Sequence, residues 1–169
     1  MKPLISVIMS VYNDSDNLES SINSVLNQDF QNFEFLIMDD GSTDESCNII
    51  NSYSQDSRIK IFQNKRNVGL TKSLNILLNE SRGTFVARQD SDDLSLSSRF
   101  SKQLDYIEYK NLDICGTRAI IKGSTRITPN KSYYLPVKTT LKIKNPFIHG
   151  SLIIKKTTIE KVNHYDERF

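Results

Sequence analysis

Four short apolar, β-branched runs alternate with amphipathic stretches along this 169-residue chain, and that alternation limits the folds open to it. Leu4–Val11 (LISVIMSV), Phe33–Met38 (FEFLIM), Ile59–Phe62 and Thr84–Arg88 (TFVAR) read as strands. The first two are almost unbroken in their apolar character, as strands covered on both faces are. After the first, Asp16 with Glu19 three residues on reads as a capping box. Leu18, Ile22, Val25 and Leu26 then share one helical face. Ser42 with Glu45 reads the same way, before a helix reaching about Tyr53. Leu70, Leu74, Leu77 and Leu78 mark a third helix that stops near Arg82-Gly83, and Phe100, Leu104 and Ile107 mark a fourth. The order predicts an α/β protein: a three-layer α/β/α sandwich with a mostly parallel central sheet and right-handed crossovers.

After Asn111 the pattern changes. Leu112–Cys115 and Arg118–Lys122 read as strands, Gly123–Asn130 as a turn, and Ile148–Lys155 contains another strand. The expectation is one domain over 1–169, with a nucleotide-binding half (1–111) and a partial acceptor-side half (112–169). The hydrophobic set is 37% and charged residues 25%, so the chain has the material for a core. A net charge of +2 argues against a strongly basic nucleic-acid binder. It hides an asymmetry, however. Residues 1–117 carry 11 basic and 17 acidic side chains, and residues 118–169 carry 11 and 3. Two solvated faces account for this, as does a basic end turned to an anionic surface or acceptor, and the sequence leaves both open. No apolar run approaches the roughly 18–20 residues of a membrane span, and the N-terminus lacks a signal-peptide cleavage region. Cys47 and Cys115 stand in no metal-like spacing, which points to reduced thiols and a cytoplasmic protein.

Ligands of open α/β sheets bind beyond the carboxyl ends of the strands. Those positions hold Tyr12-Asn13-Asp14, then Asp39-Asp40-Gly41-Ser42, then Asn64–Gly69, then Gln89-Asp90-Ser91-Asp92-Asp93. At least five carboxylates are thereby directed to one edge, and they need cations or hydrogen-bond donors to coexist. Asp90 and Asp92, spaced i, i+2 past a strand, suit one hard cation. Mg²⁺ or Mn²⁺ takes oxygen ligands and commonly shares a few carboxylates with substrate phosphates. Taken alone, the same triplet reads first as an ordinary solvated turn capping the next helix, and its place after an apolar strand is what favours the cation. Asp39 or Asp40 suits a base N–H or ribose hydroxyls, and one of the two serves the turn. Tyr12 reads either as a stacking surface for a base or as core.

Gly-x-Gly-x-x-Gly, Gly-x-x-x-x-Gly-Lys-Ser/Thr and Gly-x-Ser-x-Gly are all absent, which disfavours dinucleotide oxidoreductases, P-loop NTPases and α/β-hydrolases. His149 and His164 lack a companion at metal-ligand spacing.

The ordered set SVIMSVYN, FEFLIMDDGSTD, NKRNVGLTKSLN and TFVARQDSDD, with NPFIHGSLIIKK nearer the end, resembles the family 2 glycosyltransferases over nearly the whole chain. The resemblance implies the Rossmann-like, A-type nucleotide-sugar-binding fold and inverting transfer of a sugar, with Mn²⁺ or Mg²⁺, from a nucleotide-sugar donor, usually a UDP-sugar. The acceptor would be a glycan or a lipid-linked sugar. It also implies roles for residues. Tyr12, Asn13 and Asp40 would bind the nucleobase with help from Asn67, Gly69 and Lys72. Asp90 would lie near the ribose and sugar, and Asp92 would be the metal ligand. His149 would lie near the sugar or acceptor, with Asp90 and Asp92 in the catalytic set. Arg88 and Arg99 would hold carboxylates or phosphates.

One feature of the family pattern is not matched. The acidic residue serving as general base is expected a few positions beyond Phe169, and Asp166 and Glu167 do not match it. The chain thus reads as the donor-binding part of a longer enzyme, weak in transfer by itself. A binding module without chemistry is one rival reading. A sugar nucleotidyltransferase is another, disfavoured because Tyr12-Asn13-Asp14 stands where that class carries a basic Gly-rich loop. The basic end also permits a peripheral position at the inner membrane face. Donor sugar, acceptor, linkage and oligomeric state are not legible.

Overall fold

The computed structural model describes residues 2–130, 134–143 and 145–168. Six strands form one sheet in the order β3-β2-β1-β4-β8-β5. In chain order these are β1 (Ile5–Val11), β2 (Phe33–Asp39), β3 (Ile59–Gln63), β4 (Phe85–Arg88), β5 (Ile114–Cys115) and, after a small separate hairpin, β8 (Ile153–Lys155). The hairpin is β6 (Ala119–Ile120) with β7 (Ile127–Thr128). β1 to β4 are mutually parallel, and β8 runs antiparallel to both β4 and β5. The helices are α1 (Ser15–Leu26), α2 (Ser46–Ser52), α3 (Leu70–Glu80), α4 (Arg99–Lys110), α5 (Val137–Thr140) and α6 (Lys156–Lys161).

Side-chain parity along the strands sets the layers. Ile5, Val7, Met9 and Val11 of β1, with Phe33, Phe35 and Ile37 of β2, face one way. There they meet Leu18, Ile22 and Val25 of α1, Ile50 of α2, and Phe100 and Ile107 of α4. Ile8, Leu36 and Met38 face the other way, against Leu74, Leu77 and Leu78 of α3 and Ile159 of α6. Both faces are covered, which is why the strands read as near-continuous apolar runs. Leu112, Cys115 and Ile153 join the first cluster, so the later segment builds onto the same sheet.

Two helix starts differ from the sequence expectation. α1 already begins at Ser15, so Asp16 lies in its first turn and no capping box forms with Glu19. α2 begins at Ser46 and not after Ser42, because the Ser42 N–H donates to Asp39 and its hydroxyl accepts from the Asn13 N–H. Those groups are thereby unavailable as a helix cap. The expected turn over 123–130 in fact includes strand β7.

Register fixes the relative heights of the loops. Val11 pairs with Asp39, whereas Arg88 pairs with Ile8. The β4 loop therefore leaves the sheet three residues lower than the β2 loop, about 10 Å at roughly 3.3 Å per residue. Both lie at the same edge, with β1 between them.

Candidate functional site

The loops after β1 and β2 are tied to each other. The Asn13 N–H donates to Ser42 Oγ (3.1 Å), and the Thr43 N–H donates to Asn13 Oδ1 (2.8 Å). Asn13 holds φ 50°, a left-handed conformation that asparagine tolerates. The Asp14 N–H donates to Ser46 Oγ, and the Ser15 N–H donates to Asp44 Oδ2. Against a burial contribution that raises it, hydrogen bonds from Ser46 and Ser15 draw the Asp44 carboxyl down to about 2.

Asp39 and Asp40 are both buried, and both are occupied by protein donors. Asp39 accepts from the Ser42 N–H and from Gln63 Nε2 (2.9 and 3.1 Å). Asp40 accepts from Asn64 Nδ2 (2.7 Å) and the Val68 N–H (3.0 Å) on one oxygen, and from the Gly69 N–H (2.9 Å) on the other. Asp40 thus gathers the whole 64–69 loop onto the end of β2. Gly41, at φ 76°, lies so close to that loop that a Cβ would sit 2.6 Å from the Arg66 carbonyl carbon, so only glycine fits. Asn67 Oδ1 also accepts from the Gly69 N–H. Lys72 lies exposed in the first turn of α3, and Tyr12 stands nearly half exposed beyond β1.

The β4 loop is built differently. Arg88 is buried and makes a 2.6 Å ion pair with Asp90. Its Nε has no partner, and one terminal nitrogen reaches only the Gln89 carbonyl at 3.3 Å. Gln89, also buried, donates to Ser21 Oγ and to the carbonyls of Asp90 and Asp93. This pins the Asp90–Asp93 turn from beneath. Arg99 makes no ion pair with a carboxylate among the described residues. Its donors go to Gln103 Oε1, Gln89 Oε1, Ser95 Oγ and the Arg88 carbonyl. Burial lowers its guanidinium to about 10, which leaves it charged at neutral pH. Arg99 and Gln103, one helical turn apart among the buried residues of α4, are the sequence sign of this internal network.

Asp92 and Asp93 receive no side-chain hydrogen bond or ion pair among the described residues. Burial and then the charges of Asp90 and Asp92 raise the Asp93 carboxyl above the ordinary range. Asp90 Oδ2 and Asp93 Oδ2 both point at Gly150, each 2.7 Å from where a Cβ would be. The acidic loops are therefore not equivalent. Backbone and amide donors neutralise those of β1 and β2, while crowding persists on β4. The converging Asp90 and Asp93 carboxylates, with Asp92 exposed in the same turn, fit an Mg²⁺- or Mn²⁺-type ion that also takes ligands from a substrate. They do not form a closed cage, and no cluster of three or more His, Cys, Asp or Glu ligands exists among the described residues.

His149 arrives from the far end of the chain. Because β8 is antiparallel to β4, with Ile153 opposite Ala87, the 3₁₀ turn His149–Ser151 that precedes β8 lies beside the loop that follows β4. One face of the imidazole meets Tyr165 edge-on, with centroids 5.3 Å apart. Burial of that face, and then Arg88, lower its pKa, with Asp90 opposing. Asp166 pairs with Arg168 (2.6 Å) and Glu167 accepts from Asn75 (2.9 Å), so neither acid stands free.

The sequence pattern of Glycosyl transferase family 2 matches residues 6–167. The O-antigen biosynthesis glycosyltransferase WbnJ of Escherichia coli is 32% identical over 168 residues, covering 96% of this chain and 65% of WbnJ. The chain spans between a third and about 60% of the length of the first curated relatives it matches. Among solved structures, S. aureus TarS 1-349 in complex with UDP superposes with a TM-score of 0.81 at 24% identity, over 97% of this chain and 50% of that one. The mannosyltransferase PcManGT from Pyrobaculum calidifontis, in complex with GDP-Man and Mn²⁺, gives 0.77 at 16% identity, over 98% of this chain and 48% of that one. At these identities the likeness concerns the fold, which is the glycosyltransferase A-type.

Proposed function

The chain belongs to glycosyl transferase family 2, and we propose that the loops beyond β1 to β4 bind a UDP-sugar with Mn²⁺ or Mg²⁺ for inverting transfer of the sugar to a glycan or lipid-linked acceptor. One contrast carries this reading. Asp39, Asp40 and Asp44 are satisfied by protein donors, whereas Asp92 and Asp93 beside the Arg88–Asp90 pair are not. A cluster left electrostatically incomplete next to a tightly built loop is a place prepared for a charged ligand. UDP in the TarS complex, and GDP-Man with Mn²⁺ in the PcManGT complex, support that class of ligand. The O-antigen role of WbnJ supports a glycan or lipid-linked acceptor.

In this reading the Tyr12 ring offers the base a face to stack on, beside Asn13. Asp40 acts chiefly through the loop it gathers, setting the positions of Asn67, Gly69 and Lys72 around the nucleotide. Asp92, exposed in the same turn as Asp90 and Asp93, is the carboxylate that would hold the metal. A divalent ion held there would neutralise the departing diphosphate. Arg88 fixes Asp90 toward the ribose and sugar, and His149 borders the sugar side. Displacement at the anomeric carbon passes through an oxocarbenium-like state, as in glycoside hydrolysis. Deprotonating the acceptor needs a general base, a contribution of about 10²–10⁴-fold, and neither Asp166 nor Glu167 is assigned that role.

Titration calorimetry tests the reading. UDP binds in the presence of Mn²⁺, more tightly than GDP. Chelation, or Asp92→Ala, weakens it by about tenfold or more, roughly 1.4 kcal/mol. UDP binding indifferent to both would remove Asp92 from the metal role, and no nucleotide binding at all would defeat the donor-site reading.

A further inference from the structure

From Ile114 to Ile159 the chain carries nine Lys or Arg residues and no Asp or Glu. This stretch contains the hairpin β6–β7 and helix α5, both outside the central sheet. The hairpin pairs Ile120 with Ile127, so the two side chains share one face, and both are exposed, Ile120 by 63%. Lys122 and Arg126 flank its tip, also exposed. Val137 and Leu141, four residues apart, lie on one side of α5 and its C-cap. Both are exposed, as are Leu135 and Ile143, the latter by 83%. Lys138 and Lys142 stand among them. The two pieces adjoin where the Arg118 guanidinium lies over the Tyr134 ring, 6.0 Å from its centroid.

Exposed isoleucines and leucines interspersed with unopposed lysines are costly in water. They are favoured at an interface where apolar side chains enter an acyl boundary and cations meet anionic headgroups. We propose that the hairpin β6–β7 and the α5 segment form a docking surface for an anionic lipid bilayer. Charge complementarity selects this occupant. A second copy presenting the same face would bring like charges together, and a nucleic acid would use the lysines but leave the isoleucines in water. The inference stands on this surface alone and does not depend on the donor-site reading.

Vesicle sedimentation of the full chain tests it, with vesicles of phosphatidylcholine alone and of phosphatidylcholine mixed with phosphatidylglycerol. The wild type co-sediments with the mixed vesicles, weakly with the neutral ones, and less at high salt. Lys122→Gln with Arg126→Gln lowers the partition roughly 25-fold, each basic residue near an anionic surface being worth about fivefold. Ile120→Ser with Ile127→Ser lowers it as well. Val137→Ser with Leu141→Ser does the same without touching the hairpin, which covers the case of a misfolded hairpin. Circular dichroism and a thermal melt of each variant serve as the check that the central sheet is intact. Equal binding to neutral vesicles overturns the proposal, as does no binding, or a wild-type dimer in light scattering that Ile120→Ser with Ile127→Ser converts to monomer.

Discussion

The pair Arg88–Asp90 is asymmetric, and that asymmetry predicts unequal costs for removing its two halves. The Arg88 side chain is 2% exposed and that of Asp90 is 34% exposed, across a 2.6 Å contact. Asp90→Ala leaves a buried guanidinium whose Nε is already without a partner and whose remaining hydrogen bond is a long one, to the Gln89 carbonyl. Removing one partner of a buried pair costs about 3–5 kcal/mol. Arg88→Met leaves instead a carboxylate that water reaches, so the loss is nearer that of one charge-assisted hydrogen bond, about 1.5–3 kcal/mol. For a chain of this size, with roughly 2–4 °C per kcal/mol, Asp90→Ala lowers Tm by about 6–20 °C and Arg88→Met by clearly less. The double variant is cheaper than Asp90→Ala followed additively by Arg88→Met, because the second change removes the stranded charge. Urea unfolding of the four proteins of the cycle, followed by circular dichroism, gives all three quantities. The reasoning fails if Arg88→Met costs more than Asp90→Ala, or if the two costs add. One consequence concerns activity assays: an inactive Asp90 variant reports on chemistry only at temperatures where it is shown to be folded.

Other outcomes follow from neighbouring geometry. Gly150→Ala places a methyl 2.7 Å from Asp90 Oδ2 and Asp93 Oδ2, both ends of movable side chains. Mn²⁺-dependent UDP binding should therefore weaken about tenfold while Tm shifts by only about a few degrees, and calorimetry beside a thermal melt reads both. Asp40→Asn turns an acceptor of three donors into a group with its own N–H₂ facing the 64–69 loop. A loss of about 2–4 kcal/mol with faster amide exchange at Val68 and Gly69 is expected, and unchanged exchange there would count against the clamp. The Asp44 carboxyl, lowered from 3.8 to about 2, contributes stability that is fully present above 3.8 and is lost as pH falls through about 2. Because Asp44 is solvent-exposed, the contribution is at most about 1 kcal/mol. The urea-midpoint gap between wild type and Asp44→Asn should narrow as pH drops across that window, and a widening gap would contradict the sign.

Much of the fold was legible because its strands are covered on both faces. The runs at Ile5–Val11 and Phe33–Asp39 have few apolar gaps, so their apolar character survives without context. The helix starts were less legible. Ser42 has the local chemistry of an N-cap, but its groups are taken by Asn13 and Asp39 across the sheet edge, partners that one-dimensional spacing does not reveal. Sequence spacing presents the hairpin β6–β7 as part strand and part turn, since two-residue strands carry too few side chains for alternation to register. Arg88 and Arg99 flank one acidic motif and look alike in sequence. Only the structure separates them, because Arg88 lies within reach of a carboxylate and the donors of Arg99 are met by carbonyl, amide and hydroxyl oxygens.

The sequence by itself determined the layer order, the edge at which the loops gather and the acidic residues they carry, because these follow from periodicity and from where each strand stops. Tertiary structure decided which of those acids remain available. The number of donors reaching a carboxylate depends on register and on an antiparallel strand bringing Gly150 and His149 back to Asp90. Asp40 and Asp92 have the same side chain, and they differ because one is enclosed by a loop's N–H groups and the other is left to the solvent.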